Sequence, residues 1–117
     1  MSYWSGEADG CDFAFDAGCL AVLMIKRRMN QEFETVMEKA HPEQSIVNYL
    51  AVLRAIGESH PKAFDVHFGR DEFEEAKENF AEWYAQCSGK IPAKYRDGVL
   101  RSAHAEFQLW EERIFQK

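Results

Sequence analysis

The sequence predicts an all-α protein, an irregular bundle of four to five helices packed around a hydrophobic first helix. Three observations lead there. The run from Phe13 to Ile25 is apolar on almost every side and is interrupted by one carboxylate, Asp16; a helix that is hydrophobic all round belongs inside a packed protein. Later segments repeat apolar residues at intervals of three and four, the helical period. The one alternating stretch, Phe64, Val66 and Phe68, has no second strand to form a ladder with.

The elements follow in order. Residues 1–8 carry Tyr3 and Trp4 ahead of Ser5-Gly6 and read as an aromatic cap folded back on the core, since an unanchored tail seldom carries large aromatics. The first helix is expected to start at Asp9 or Asp12, either of which accepts first-turn N–H groups. It is expected to run to about Met29, with Lys26-Arg27-Arg28 on its negative end. A shorter helix follows over residues 31–40, after a break or a bend at Asn30. His41-Pro42 opens the next helix with Pro at its first position, and Ile46, Tyr49, Leu50, Leu53 and Ile56 form its buried stripe. Residues 58–70 read as irregular. Asp71 resembles an N-cap with Glu74 in the capping-box position, opening a helix with the stripe Phe73, Ala76, Phe80, Trp83, Tyr84 and Cys87, which stops at Ser88-Gly89. The last helix spans about Pro92 to Phe115, burying Tyr95, Val99, Ala103, Phe107, Trp110 and Ile114, with Gly98 a weak point.

Composition narrows the class. At 117 residues the chain reads as a single domain, residues 1–117, and nine Phe, four Tyr and three Trp supply a core without disulfide or metal. The three cysteines, Cys11, Cys19 and Cys87, lack the spacing of a disulfide framework or a zinc knuckle, which points to a reducing, cytoplasmic setting. Residues 1–16 hold Glu7, Asp9, Asp12 and Asp16 but no Lys or Arg, opposite to a secretory leader, and the apolar run is too short to span a bilayer. A net charge of −6 argues against nucleic acid or an anionic membrane as partner.

Two places are candidates for function. The fourth helix, opened by Asp71, bears Asp71, Glu72, Glu74, Glu75, Glu78 and Glu82 against Lys77 alone. Glu74, Glu75, Glu78 and Glu82, with exposed members of the set Phe68, Trp83 and Tyr84, form a candidate protein-interaction face, aromatic anchors being what carry interface energy. The structural alternative is a solvated face lying beside the basic opening of the last helix, Lys90, Lys94, Arg96 and Arg101. Asp16, His60 and His67 form a candidate ligand pocket between the first helix and the 58–71 segment. Their spacing matches no metal motif, and neither a bound metal nor a cofactor is expected. The serines and cysteines lack an activating neighbour, so an interaction role is favoured over an enzyme. His104 shares a helix edge with Glu111 and reads as a polar contact at the rim of the core.

Trp4-Ser5-Gly6 followed by Asp12-Phe13-Ala14-Phe15-Asp16 resembles the opening of an uncharacterised family of small bacterial proteins, in which a Trp-Gly element precedes an Asp-x-Ala-x-Asp-like start to the first helix. Ser5, between Trp4 and Gly6, departs from that pattern. The resemblance implies a bacterial protein and assigns no activity. The expectation is therefore an acidic interaction module of immunity, inhibitor or regulatory type with an unidentified protein partner, and homodimerisation is a further possibility. The alternative is a small-molecule or metal-binding protein, or an enzyme, with its pocket near residues 58–71.

Overall fold

The computed structural model describes residues 12–39 and 45–116, with side chains described for 12–34 and 47–116. The aromatic cap at Tyr3 and Trp4, Cys11, the helix start at His41-Pro42 and the burial of Ile46 lie outside the described residues. Among the described residues the chain is an all-α bundle of five helices: α1 (Asp12–Lys39), α2 (Ser45–Ser59), α3 (Pro61–His67), α4 (Arg70–Cys87) and α5 (Ala93–Trp110). A 3₁₀ turn over Ser88–Lys90 joins α4 to the α5 side, and a π-helical turn over Glu111–Phe115 continues α5.

α1 is one continuous helix, with no break at Asn30. Apart from Gly18 its sequence holds neither Gly nor Pro, so nothing in it interrupts the hydrogen-bond ladder. Consequently Lys26-Arg27-Arg28 sits mid-helix rather than on a helix end. Lys26 Nζ instead donates to the His67 carbonyl at 2.8 Å and pairs with Glu72 at 2.5 Å, while Arg28 pairs with Glu32 one turn on at 3.7 Å.

α2, α3 and α4 lie against α1, but they cover one side of it only. Gly18, Val22 and Met29 are buried, and Ile25 and Phe33 pack half-buried beside them. Phe13 is 72% exposed, Leu20 60%, Met24 62% and Leu23 43%. The expectation that the apolar run is enclosed all round, with Asp16 near the core, is thus corrected: Asp16 is exposed. The largest fully buried side chains are Trp83 and Trp110, from α4 and α5. The Trp110 ring stacks on Phe73 at 5.0 Å and contacts Phe64, Phe68 and Phe115. Its indole N–H is buried without a hydrogen-bond partner among the described residues.

Residues 58–70 are helical over Pro61–His67 rather than irregular. Pro61 occupies the first turn, where its missing N–H costs nothing, and Phe64 N–H donates to the His60 carbonyl at 3.0 Å. Seven residues are too few for a periodicity to show. Ala63, Phe64 and Phe68 are buried while Val66 is 62% exposed, so the apparent alternation does not describe the packing. Glycine makes the approach of α3 possible: a Cβ on Gly18 would stand 2.8 Å from Ala63 Cβ and 3.2 Å from His60 Cβ.

α4 begins with Gly69 as N-cap and no side-chain cap, so Asp71 is a first-turn residue, not the cap. Its carboxylate still favours the helix N-terminus electrostatically. The α4 stripe is buried as its period predicts, through Phe73, Ala76, Phe80, Trp83 and Cys87. On α5, Val99, Ala103 and Trp110 are buried, whereas Tyr95 is 55% exposed.

Candidate functional site

α4 and α5 run antiparallel: Tyr84, late in α4, donates its hydroxyl to the Arg96 carbonyl early in α5 at 3.2 Å, and Phe73, early in α4, meets Phe107 late in α5 at 6.1 Å. Arg96 fastens the connection. Its Nε donates to the Ser88 carbonyl at 2.9 Å and its Nη2 to that of Ile91 at 3.0 Å, supplying donors to backbone acceptors at a helix end. The basic opening of α5 is therefore partly used for this fastening rather than for neutralising α4.

Outside the buried line, the two helices diverge enough to leave an apolar groove of about 360 Å³, lined by Phe80, Ala81, Tyr84 and Ala85 of α4 and Leu100, His104 and Phe107 of α5, with Lys77 at one end. A second hollow of about 240 Å³ continues it past Lys77, His104 and Phe107 to Gln108 and Glu111. The floor is aromatic. Phe80 meets Phe107 edge-on at 5.8 Å and Tyr84 in a stack at 6.0 Å, arrangements that rings favour. Lys77 Nζ lies 5.3 Å from the centre of the Phe73 ring and 3.6 Å from Glu74.

The groove is closed at its far end by charge. Arg70 grips Glu111 with two hydrogen bonds of 2.9 and 2.7 Å, reaches Glu74 at 3.2 Å, and covers the Phe115 ring at 4.5 Å. Held by the Arg70 guanidinium, Glu111 titrates below its ordinary value, and Arg70 is raised in turn. His104 and Glu111 do share a helix edge, and both line the groove.

Of the acidic interaction face, Glu75, Glu78 and Glu82 are exposed, and Glu74 is partly engaged by Arg70 and Lys77. Glu82 accepts a long 3.5 Å bond from Gln86. The aromatic members divide sharply. Trp83 is 0% exposed and Phe68 3%, so neither reaches a partner; both point inward on the core line. Tyr84 alone of the three is half-buried at the surface, in the groove.

The candidate pocket of Asp16, His60 and His67 is not brought together around one point. His60 packs against Gly18 of α1 and its Nδ1 lies 2.8 Å from Ser59 Oγ, while His67, at the other end of α3, offers its carbonyl to Lys26. None of the three lines the groove. Among the described residues no group of three or more His, Cys, Asp or Glu could hold a metal ion, and no helix is long and apolar enough to cross a membrane. Cys19 is half-buried, and burial, followed by the Asp16 charge, raises its thiol above the ordinary value; an activated thiolate has the opposite shift.

Sequence reasoning missed the groove and also missed Glu106. This carboxylate, 7% exposed, lies on the inner side of α5 and pairs with Arg54 of α2. The signal for it was its place three residues after Ala103 and four before Trp110 on the buried stripe. No family model matches the sequence, and neither a curated protein nor a solved structure is significantly similar to it.

Proposed function

We propose that the protein is a small acidic protein-interaction module, of inhibitor, immunity or regulatory type, whose α4–α5 groove receives an amphipathic helix from its partner. The observation that supports this reading is the shape and rim of the groove. Phe80, Tyr84, Leu100 and Phe107 offer an apolar floor, and Glu74, Glu78, Ala81 and Ala85 follow one another at helical spacing along the α4 edge. A helix laid there places its apolar residues at i, i+3, i+4 and i+7 on the floor and Lys or Arg beside Glu74 and Glu78, where opposite charge speeds encounter and sets register. Tyr84 and Phe107 are the anchors. Trp83 acts behind the floor, its ring packed against Phe80.

The test pairs capture from the native host's lysate with two groove variants of the full chain. Ala81→Trp fills the floor without touching the core, and the double reversal of Glu74 and Glu78 to Lys inverts the rim. A stoichiometric partner held by the native protein and lost from both variants, at unchanged melting temperature, is the expected result. A partner retained by both variants overturns the reading. A metabolite that raises the melting temperature of the native protein but not of Ala81→Trp moves the function to small-molecule binding in the same groove.

A further inference from the structure

The uncovered side of α1 carries a second pattern, independent of the groove. Phe13, Asp16, Leu20, Leu23, Arg27, Asn30 and Glu34 follow one another at the alternating spacings of three and four that keep residues on one line of a helix, with Phe13, Leu20 and Leu23 its apolar members. Every one of the seven is exposed, with Met24, 62% exposed, alongside; Asn30 and Glu34, at the end of the line, also border hollows shared with Glu75 and Asn79 of α4. Neither Asp16 nor Arg27 is in an ion pair with another described residue. Apolar residues repeated along an exposed seam mark a contact surface.

The order of charge along the seam selects the occupant. Acid lies before the leucines and base after them, so two parallel copies would set Asp16 against Asp16 and Arg27 against Arg27. Reversing one copy removes both conflicts. In the antiparallel register that places Leu20 opposite Leu23 of a second copy, Asp16 falls opposite Arg27 and Phe13 opposite Asn30, and the two-fold axis repeats each pairing. Sliding by one heptad in one direction sets Asp16 against Leu20; in the other it sets Asp16 against Glu34 and Leu23 against Arg27. One register satisfies charge and hydrophobic contact together, as a self-complementary isologous interface requires.

We infer that α1 is a homodimerisation helix: a second copy of this chain packs on it as an antiparallel, two-fold symmetric pair along residues 13–30. The leucines form the dry centre, and the Asp16–Arg27 pairs at either side fix direction and register. A single helix pair is a small interface, so the dimer exchanges with monomer rather than being permanent.

Light scattering and sedimentation of the full chain across a dilution series test this directly. One copy weighs 13.6 kDa, and the mass is expected to climb toward twice that value as concentration rises. Asp16→Arg alone and Arg27→Asp alone each weaken association about tenfold or more, because symmetry counts every repulsive pair twice. An equimolar mixture of the two variants associates again, since a chain with two positive charges on its seam then faces a chain with two negative ones, and each acid meets a base. All sites are exposed, so melting temperatures stay unchanged at dilutions where the native chain is monomeric, and recovery in the mixture shows that both variants are folded. A chain that stays at 13.6 kDa throughout, as when residues 1–11 cover the seam in cis, overturns the inference. So does a dimer indifferent to both reversals, or a mixture that fails to recover. Ala81→Trp, which blocks the groove, leaves this dimer intact.

Discussion

Arg54 of α2 and Glu106 of α5 form a two-point ion pair, Nε to Oε2 at 2.6 Å and Nη2 to Oε1 at 3.2 Å, with side chains only 15% and 8% exposed. Arg54 Nη1 also reaches Glu58 at 3.1 Å, and Arg113 approaches Glu58 at 3.5 Å. The hydrogen bond to Glu106 holds Arg54 firmly in its charged form, raised above its ordinary value. A charge pair this far from water is an alignment device more than a source of stability, because desolvation offsets most of the attraction. It sets α2 against α5 at one height.

Removing Glu106 leaves two donors of Arg54 without their acceptors, while Glu58 still balances the charge. Glu106→Ala is expected to destabilise the fold by about 1–3 kcal/mol, the cost of those unsatisfied donors. Replacing Arg54 and Glu106 together by Met and Leu recovers most of that loss. Urea denaturation of the two single variants and the double variant measures the coupling.

The contact of α1 with α3 depends on the absence of a side chain at position 18. Gly18→Ala introduces a methyl group 2.8 Å from Ala63 Cβ, closer than carbon atoms tolerate. A loss of about 1–3 kcal/mol is expected, as for overpacking elsewhere, despite alanine's better helix propensity. Pairing Gly18→Ala with Ala63→Gly in a denaturation cycle should return part of it.

Gly98 makes the opposite case. A Cβ there would meet nothing nearer than Arg101 Nη2 at 3.9 Å, and the residue is within α5. Gly98→Ala is expected to stabilise the protein by about 0.5–1 kcal/mol, through helix propensity alone. A raised urea midpoint at unchanged slope is the signature.

The Arg70–Glu111 pair predicts a pH dependence. Glu111 titrates below its ordinary value of 4.5 when folded, so the folded state binds this proton less readily than the unfolded chain. Its contribution is therefore complete above the unfolded value and is lost as pH falls through the lower folded one. The stability difference between native protein and Glu111→Gln should be constant near neutrality and shrink below pH 4.5. Urea midpoints of both proteins across an acid series give the profile, and added salt should reduce the difference at every pH.

Much of the fold was legible in the chain, because helical period and turn residues are local properties. The stripes Phe73–Cys87 and Val99–Trp110 and the stop near Gly89 are where their patterns place them. α3 escaped because seven residues carry too little periodicity. The candidate site was legible in part: Tyr84, His104 and the exposed acids of α4 were visible as residues, whereas the groove that unites Tyr84 with His104 was not. Trp83 and Tyr84 are neighbours in sequence, yet one is sealed in the core and the other lines the groove.

By itself, then, the sequence determined the all-α class, which residues of the long stripes are helical, and the net acidity of the chain, all properties of composition or of near neighbours along the backbone. Only the tertiary structure decided which side of α1 is covered, that Asp16 faces solvent, that Arg54 meets Glu106, and that α4 and α5 part to leave a groove. Those outcomes depend on contacts between residues far apart in the chain. A hydrophobic residue states that it favours burial; what it is buried against, and whether that partner belongs to the same chain, is settled by the packing of whole helices.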